Sequence, residues 1–222
     1  PTSGSIEIFG EESSGKSTLA LQAIAEVQKL GGVAALVDTE YSIDPTWAKK
    51  IGVNFDDLII VQPSYGEEGF RIIETLLRAN SVDMIVVDSL AAMAPQDLME
   101  ADIGDKRMGA HARMVSEALQ KLSSLLARSE TILILTNQMR ENIGNPYAPR
   151  DKTPGGNAPK YYTSMRIRLS KSNKPIVDKN GQPIGTRIRA KILKNKLSIP
   201  YREADLTIDF VRGGFSKAYE VL

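Results

Sequence analysis

A short glycine-containing segment near the start of the chain constrains its fold more than any other feature. Residues 10–17 read GEESSGKS, which satisfies the phosphate-binding pattern G-x-x-x-x-G-K-[ST] at every required position. The apolar run Ile6 to Phe9 precedes the segment and a helical pattern follows it. Loop amides and the positive end of the helix would therefore converge on phosphate oxygens. A chance glycine-rich turn is the alternative, but these flanking elements favour a nucleotide-binding α/β fold.

Within this segment, side chains of two kinds suit a nucleoside triphosphate. Lys16 would supply positive charge to the β and γ phosphates, and the Ser17 hydroxyl would reach a bound Mg²⁺. ATP and Mg²⁺ are the predicted cofactors. The predicted phosphate-binding residues are Gly10, Glu11, Glu12, Ser13, Ser14, Gly15, Lys16, Ser17 and Thr18.

Short β-branched runs alternate with amphipathic stretches through the first 136 residues. The runs predicted as strands, all of them buried on both faces, are Ile6 to Phe9, Val33 to Val37, Leu58 to Val61, Met84 to Val87 and Ile132 to Leu135. One predicted helix runs from Ser17 to Leu30 and is closed by Gly31 and Gly32, and a later one presents Val115, Leu119, Leu122 and Leu126 on one face. This alternation predicts a mostly parallel twisted sheet flanked by helices.

The pattern changes after Gln138. A Gly/Pro/Asn-rich stretch is followed by two alternating runs, Arg166 to Ser170 and Thr186 to Leu193, which are joined through the turn signal Asn180-Gly181. They predict an antiparallel extension of the sheet, completed by a strand over Leu206 to Phe210. The expectation is a single domain over residues 1–222.

The amino-acid composition excludes some kinds of functional site. It has no cysteine and one histidine, His111, so thiolate sites and multi-histidine metal clusters are excluded. Neither a long apolar window nor a signal pattern is present, which favours a cytoplasmic protein without membrane association. The net charge is +1, yet the segment from Asn137 to Arg202 contains fifteen basic residues and three acidic ones. This bias suits either a polyanionic partner or a solvated lysine-rich face.

Polar residues that follow the apolar runs are candidates for catalysis. Asp88 directly follows one run and could hold the metal or be a helix cap. Glu40, just beyond another run, is the best candidate for activating water, with Asp38 as its rival. Gln138 could sense the γ phosphate and pass the signal to the basic loop that follows it.

A series of motifs runs along essentially the whole chain. In order they read GEESSGKST, VDTEYSIDP, MIVVDSLAAM, IGDKRMGAHARM, TNQMRENIGNP, PGGNAPKYY and KILKNK. Taken together, these motifs resemble those of the RecA recombinase family of bacteria and their phages. Several of these agree beyond what any P-loop protein would share. The resemblance implies a RecA-like P-loop core with Glu40 as the catalytic glutamate and Gln138 as the γ-phosphate sensor. It also implies that Asp44 and Trp47 hold the adenine, with Phe210 covering its other face.

The resemblance further implies two DNA-binding loops, at about residues 100–113 and 139–157. Arg113, Arg140 and Lys152 would contact phosphates, and Tyr147 would stack between bases or pack on the protein surface. The full set of implied DNA-binding residues is Met108, Gly109, Arg113, Arg140, Tyr147, Lys152, Gly155, Gly156 and Asn157.

Other residues are implied at contacts between subunits. Lys194 and Lys196, two apart on a predicted strand and so on one face, match lysines that reach the neighbouring subunit's ATP. By sequence alone they would be solvated or would touch DNA nonspecifically. Lys160 and Tyr161 belong to the same implied contact.

The chain also departs from the family pattern. Trp47 replaces a usual tyrosine, Gln120 a common arginine, and Pro159 a usual helix former. At its ends the chain lacks the family's N-terminal docking segment and C-terminal domain, so we expect a trimmed core.

The function implied is that of an ATP-dependent recombinase core. It would bind single-stranded and double-stranded DNA, assemble into filaments in the complete protein and hydrolyse ATP during strand exchange. Two alternatives stay open: a hexameric helicase-like motor on the same core, and a regulator that binds ATP without turnover.

Overall fold

The computed structural model describes residues 4–101, 109–139 and 153–216, with the side chains of residues 173–174 left out. The strands are β1 (Gly4–Gly10), β2 (Ala34–Asp38), β3 (Leu58–Val61), β4 (Met84–Asp88), β5 (Ile132–Gln138), β6 (Met165–Val177), β7 (Pro183–Asn195) and β8 (Glu203–Asp209). The α-helices are α1 (Lys16–Lys29), α2 (Pro45–Ile51), α3 (Gly66–Ala79), α4 (Gln96–Met99), α5 (Ala110–Leu126) and α6 (Ala158–Tyr162), and a 3-10 turn spans Leu90–Ala92.

The described strands form one eight-stranded sheet in the order β3-β2-β4-β5-β1-β6-β7-β8. All pairs from β3 to β6 are parallel, whereas β6, β7 and β8 pair antiparallel. Because parallel neighbours need a crossover connection, helices cover the parallel part of the sheet. The predicted fold, a mostly parallel sheet with an antiparallel extension, is confirmed.

Side chains from alternate positions of the strands enter two separate cores. One core packs α1 against residues such as Ile8, Val86 and Ile134, and it continues into β7 and β8. The other packs α3 and α5 against Leu133, Leu135 and their neighbours. The four residues predicted on one face of the later helix, Val115, Leu119, Leu122 and Leu126, are all buried there.

The prediction that all five early runs are buried on both faces is wrong for β3. This strand lies at the edge of the sheet and pairs only with β2, so neighbouring elements cover it incompletely. Ile59 and Ile60 are 39% and 41% exposed. The other four runs are buried as predicted, apart from their first residues Ile6, Val33 and Ile132.

The last residue of the loop between β1 and α1 is a glycine with a left-handed backbone conformation. Gly15 has φ 87°, and a Cβ added there would lie 2.6 Å from Cδ1 of Ile208 in β8. The phosphate loop can therefore pass closely under β8 only because this position has no side chain. Helix α1 begins at Lys16 and ends at Lys29, within one residue of the predicted limits at each end.

The antiparallel extension is longer than the sequence pattern predicts. β6 and β7 each span 13 residues, and their connection contains Gly181 at φ 79° with a hydrogen bond from Asp178 N to Gln182 O. One expectation is corrected here. Because β7 ends at Asn195, Lys196 lies beyond the strand and does not share a regular strand face with Lys194.

We predict that truncating a core leucine of β5 will destabilise the protein strongly. Leu133→Ala removes a side chain with no exposed surface and should lower the free energy of unfolding by about 2–5 kcal/mol. Leu30→Ala is the matched control, because Leu30 is 88% exposed and its loss should change the value by less than about 0.5 kcal/mol. Urea denaturation followed by circular dichroism measures both, and equal losses would contradict the assignment of β5 to the core.

Candidate nucleotide site and DNA-facing surface

The amine of Lys16 lies at the carboxyl end of β1, next to the loop that leads into α1. Its Nζ donates hydrogen bonds to the carbonyls of Gly10, at 3.3 Å, and Glu11, at 2.6 Å. Burial lowers the pKa of Lys16, whereas the nearby carboxylates of Asp88 and Glu40 act in the opposite direction. A largely buried cation with loop carbonyls as partners is suited to bind a phosphate, whose oxygens are stronger acceptors.

Asp88 ends β4 beside the phosphate loop. Its Oδ1 accepts a 2.5 Å hydrogen bond from Thr136 Oγ1, and Ser17 is a second hydroxyl partner. Burial raises the pKa of Asp88, and these two hydrogen bonds oppose the rise. The structure thus brings together the two residues predicted to hold a metal. Sequence reasoning missed Thr136, because its contact joins positions 48 residues apart.

The chemistry of this pair fits magnesium rather than an all-protein metal cage. Within the described residues there is no group of three or more carboxylate, imidazole or thiolate side chains that could hold a metal ion. Magnesium is commonly held by one or two carboxylates together with substrate phosphates. One carboxylate and one hydroxyl next to a phosphate loop therefore suffice.

Glu40 and Gln138 meet at the open side of the site. Gln138 Nε2 donates to Glu40 Oε1 at 3.3 Å, and the same oxygen accepts a hydrogen bond of 2.5 Å from Ser89 Oγ. Both Glu40 and Gln138 are exposed to solvent. Asp38 is only 1% exposed and accepts a hydrogen bond from Gln62, so it lies too deep to act on solvent water. The geometry favours Glu40 over Asp38.

A cleft of 410 Å³ continues from the phosphate loop toward the antiparallel strands. It is lined by residues 13–18, Trp47, Thr186, Ile208 and Phe210. Trp47 Nε1 donates to Thr18 Oγ1 at 3.3 Å, which fixes the indole against α1. Trp47 and Phe210 therefore share one cleft, as predicted for residues around an adenine. Thr186 and Ile208 were missed, although they are direct partners across β7 and β8.

Asp44 has a local role that sequence reasoning did not anticipate. Its Oδ1 accepts a hydrogen bond from Thr46 N at 2.8 Å, and Asp44 is the N-cap of α2, with Pro45 as the first helical residue. Because α2 carries Trp47, this cap also positions the indole ring.

The ends of the two predicted DNA-binding loops lie next to each other. Gly109, at φ 84°, is the N-cap of α5, and Asn157 is the N-cap of α6. One cleft of 370 Å³ is lined by Ala112 and Ser116 of α5 together with Gly155, Gly156 and Asn157. Arg113 lies on the first turn of α5 and is exposed. Met108, Arg140, Tyr147 and Lys152 fall outside the described residues.

Lys194 makes contacts within its own chain. Its Nζ donates to the carbonyls of Lys160, at 2.5 Å, and Tyr161, at 3.1 Å, near the C-terminal end of α6. Burial lowers its pKa, and the positive charges of Lys196 and Arg166 lower it further. Tyr161 is 71% exposed, which leaves its ring available to another molecule.

The two remaining departures from the family pattern are accommodated locally. Pro159 occupies the second position of α6, where a missing N–H removes no hydrogen bond of the helix. Gln120 is exposed on α5.

Within the described part of the chain, no helix is both long and apolar enough to cross a membrane.

Comparison with known proteins identifies the family. The model of the RecA N-terminal domain matches residues 1–215. The chain is 46% identical over 213 residues to the protein RecA of Leptospira biflexa, covering 96% of this chain and 54% of that protein. It is 48% identical over 208 residues to the protein RecA of Thermus thermophilus, covering 94% of this chain and 61% of that protein. The chain thus spans between half and two thirds of the length of these relatives.

A solved structure gives independent support for the fold. The crystal structure of the RadB recombinase superposes with a TM-score of 0.69 at 23% identity, covering 96% of this chain and 89% of that one. At that identity the likeness concerns the fold alone. The sequence relatives and the matching domain carry the assignment, and the chain therefore belongs to the RecA family.

Proposed function

We propose that this chain is the ATPase core of a recombinase that binds single-stranded DNA, assembles with further copies of itself and couples ATP hydrolysis to strand exchange. The observation that carries the proposal is the group formed by Lys16, Ser17, Asp88, Glu40 and Gln138. Their side chains come from four different segments of the chain and meet at the carboxyl ends of β1, β2, β4 and β5. Ligands of open α/β sheets bind at these strand ends.

The site suggests how hydrolysis would proceed. Glu40 would accept a proton from a water molecule while the water oxygen bonds to the γ phosphorus. The bond between the γ phosphorus and the β–γ bridging oxygen would break, and ADP and inorganic phosphate would leave. Lys16 would balance the charge on the phosphate oxygens. Bound Mg²⁺ would supply further charge neutralisation, with Ser17 and Asp88 as its candidate protein ligands.

Gln138 is our candidate for the group that reports the γ phosphate. Its side-chain amide contacts Glu40, and the chain continues directly from it into the predicted second DNA-binding loop. Loss of the γ phosphate would change the partners of this amide and so alter the loop. DNA affinity would then depend on which nucleotide is bound.

Assembly would complete the nucleotide site. In this proposal Lys194 and Lys196 of one copy approach the ATP held by another, and Lys160 and Tyr161 belong to the same contact. The exposed ring of Tyr161 and the position of Lys194 beside α6 are compatible with this contact. Lys194 would exchange its two carbonyl partners for phosphate oxygens when copies assemble.

We predict that Lys16→Ala will weaken ATP binding by about 30-fold or more, because the phosphates lose a largely buried cationic partner. Lys29→Ala, at the exposed far end of the same helix, is the matched control and should bind as the wild type does. Isothermal titration with Mg–ATP measures both affinities. Equal affinities would contradict the assignment of the phosphate site.

We predict that Glu40→Gln will reduce ATP turnover by about 10²- to 10⁴-fold while ATP binding is retained, because the amide cannot accept the proton. Turnover is measured as phosphate release in the presence of single-stranded DNA. Glu130→Gln is the control, since Glu130 is exposed just before β5, far from Gln138 at the other end of that strand. Wild-type turnover by Glu40→Gln would remove Glu40 as the base.

We predict that Arg113→Ala will weaken single-stranded DNA binding and make its dependence on salt shallower. Each lost phosphate contact should reduce the slope of log affinity against log salt by about 0.7. Arg128→Ala, just beyond the opposite end of α5, is the control and should keep the wild-type slope. Fluorescence anisotropy with a labelled oligonucleotide at several salt concentrations gives both slopes, and identical slopes would exclude Arg113 from the interface.

A further inference from the structure

A fully buried carboxylate lies three residues before the phosphate loop, and the mechanism proposed above makes no use of it. Glu7, in the middle of β1, has no exposed surface. Its side chain lies on the sheet face that α5 and α6 cover, opposite to the face that packs on α1. A charge in such a place is costly unless partners satisfy it fully.

Among the described residues, three side chains donate to Glu7, and each comes from a different segment. Arg166 Nε of β6 donates to Oε2 at 2.5 Å, while Asn137 Nδ2 of β5 and Thr153 Oγ1 donate to Oε1 at 3.0 and 3.1 Å. The Arg166 guanidinium also lies 4.5 Å from the centroid of the Phe9 ring. Its Nη2 is buried and has no hydrogen-bond partner among the described residues.

Asn137 extends this buried cluster in two directions. Its Nδ2 also donates to the carbonyl of Pro154 at 3.1 Å, and its Oδ1 accepts from the backbone N–H of Gln138 at 3.1 Å. Gln138 in turn contacts Glu40. Hydrogen bonds made by Gln138, Asn137 and Glu7 therefore connect the candidate catalytic glutamate to Thr153 and Pro154, the first described residues in the C-terminal part of the predicted second loop.

Stability alone gives little reason for this arrangement. A buried ion pair can often be replaced by apolar residues of similar volume without loss of stability. The cluster instead holds the chain at residues 153–154, immediately before Gly155, Gly156 and α6. The side chains of the cluster are buried and bond to one another instead of to water. A shift of the C-terminal end of β5 would therefore move residues 153–154 as well.

We infer that Glu7 is a positioning residue, which acts through Asn137 and Thr153 to couple the nucleotide site to the second DNA-binding loop. The inference rests on the proposed function and adds the route by which nucleotide state would regulate DNA affinity. Glu7 itself touches neither ligand. It fixes the position of the loop's C-terminal end relative to Gln138.

Thr153→Val tests the coupling without leaving a buried charge unpaired. Truncating Glu7 would strand Arg166 in the interior and could unfold the protein. Valine keeps the shape of Thr153 and removes only the hydroxyl that reaches Glu7. Thr131→Val is the matched control, because Thr131 is also buried, donates to the carbonyl of Val82 and lies just before β5, at the far end of the sheet.

The measurement is the ratio of single-stranded DNA affinities with Mg²⁺ and adenosine 5′-(γ-thio)triphosphate and with Mg²⁺ and ADP. Thr153→Val should lower this ratio by about 2- to 30-fold, as expected for a residue within a coupling network. In the absence of DNA, its affinity for each nucleotide should match that of the wild type. Thr131→Val should keep the wild-type ratio even where urea denaturation shows an equal loss of stability, because a merely structural role does not change the ratio.

The outcomes separate the two proposals. A folded Thr153→Val variant with the wild-type ratio would overturn the coupling role, while the proposed function would stand. A wild-type protein that binds DNA equally with both nucleotides would overturn the proposed function, and the inference would fall with it. An equal drop in the ratio for both valine variants would also overturn the inference, because it would show that any buried threonine has this effect.

Discussion

The burial of the Lys16 amine is the condition on which the rest of the nucleotide site depends. A cation taken out of water needs compensation, and the protein alone provides it only partly, through two loop carbonyls and the nearby carboxylates of Asp88, Glu40, Glu12 and Glu11. Burial outweighs these partners and lowers the pKa of Lys16. A polyphosphate would supply the missing negative charge. The same balance explains why Asp88 needs two hydroxyl partners, since burial raises its pKa and would otherwise favour the neutral acid.

The antiparallel strands complete this site rather than merely extending the sheet. β7 and β8 pass over the phosphate loop, and Thr186, Ile208 and Phe210 form one wall of the cleft whose other wall is Trp47. The close approach of Ile208 to Gly15 shows how tightly the two parts of the sheet are joined. Strand β6 connects the same extension to the buried cluster around Glu7 through Arg166. One sheet therefore links the candidate nucleotide cleft and the surface that we propose faces DNA.

Much of this arrangement could be predicted from the sequence, because it depends on local patterns. The P-loop motif, the existence of the four central parallel strands and the placement of Glu40 and Gln138 at strand carboxyl ends follow from motif, periodicity and the rule that ligands bind at these ends. The exposed edge of β3 could not be predicted, because a short apolar run looks the same in a central and an edge strand.

The hydrogen bonds between buried polar side chains could not be predicted either, because they join positions that are far apart in the sequence. Glu7 and Arg166 are 159 residues apart, and neither position departs from an ordinary strand pattern.

Hydrogen bonds also connect the cleft wall proposed to bind the base with the first turn of α1. The N-cap Asp44 orients α2, α2 carries Trp47, and the indole N–H donates to Thr18 on the first turn of α1. Thr18 directly follows Ser17, the candidate metal ligand. A tyrosine at position 47 would present a terminal hydroxyl, whereas the indole N–H is part of the ring, so tryptophan can donate to Thr18 while its face lines the cleft. Tryptophan at position 47 is therefore compatible with the proposed stacking on the base, and its N–H makes a direct hydrogen bond between the two halves of the candidate nucleotide site.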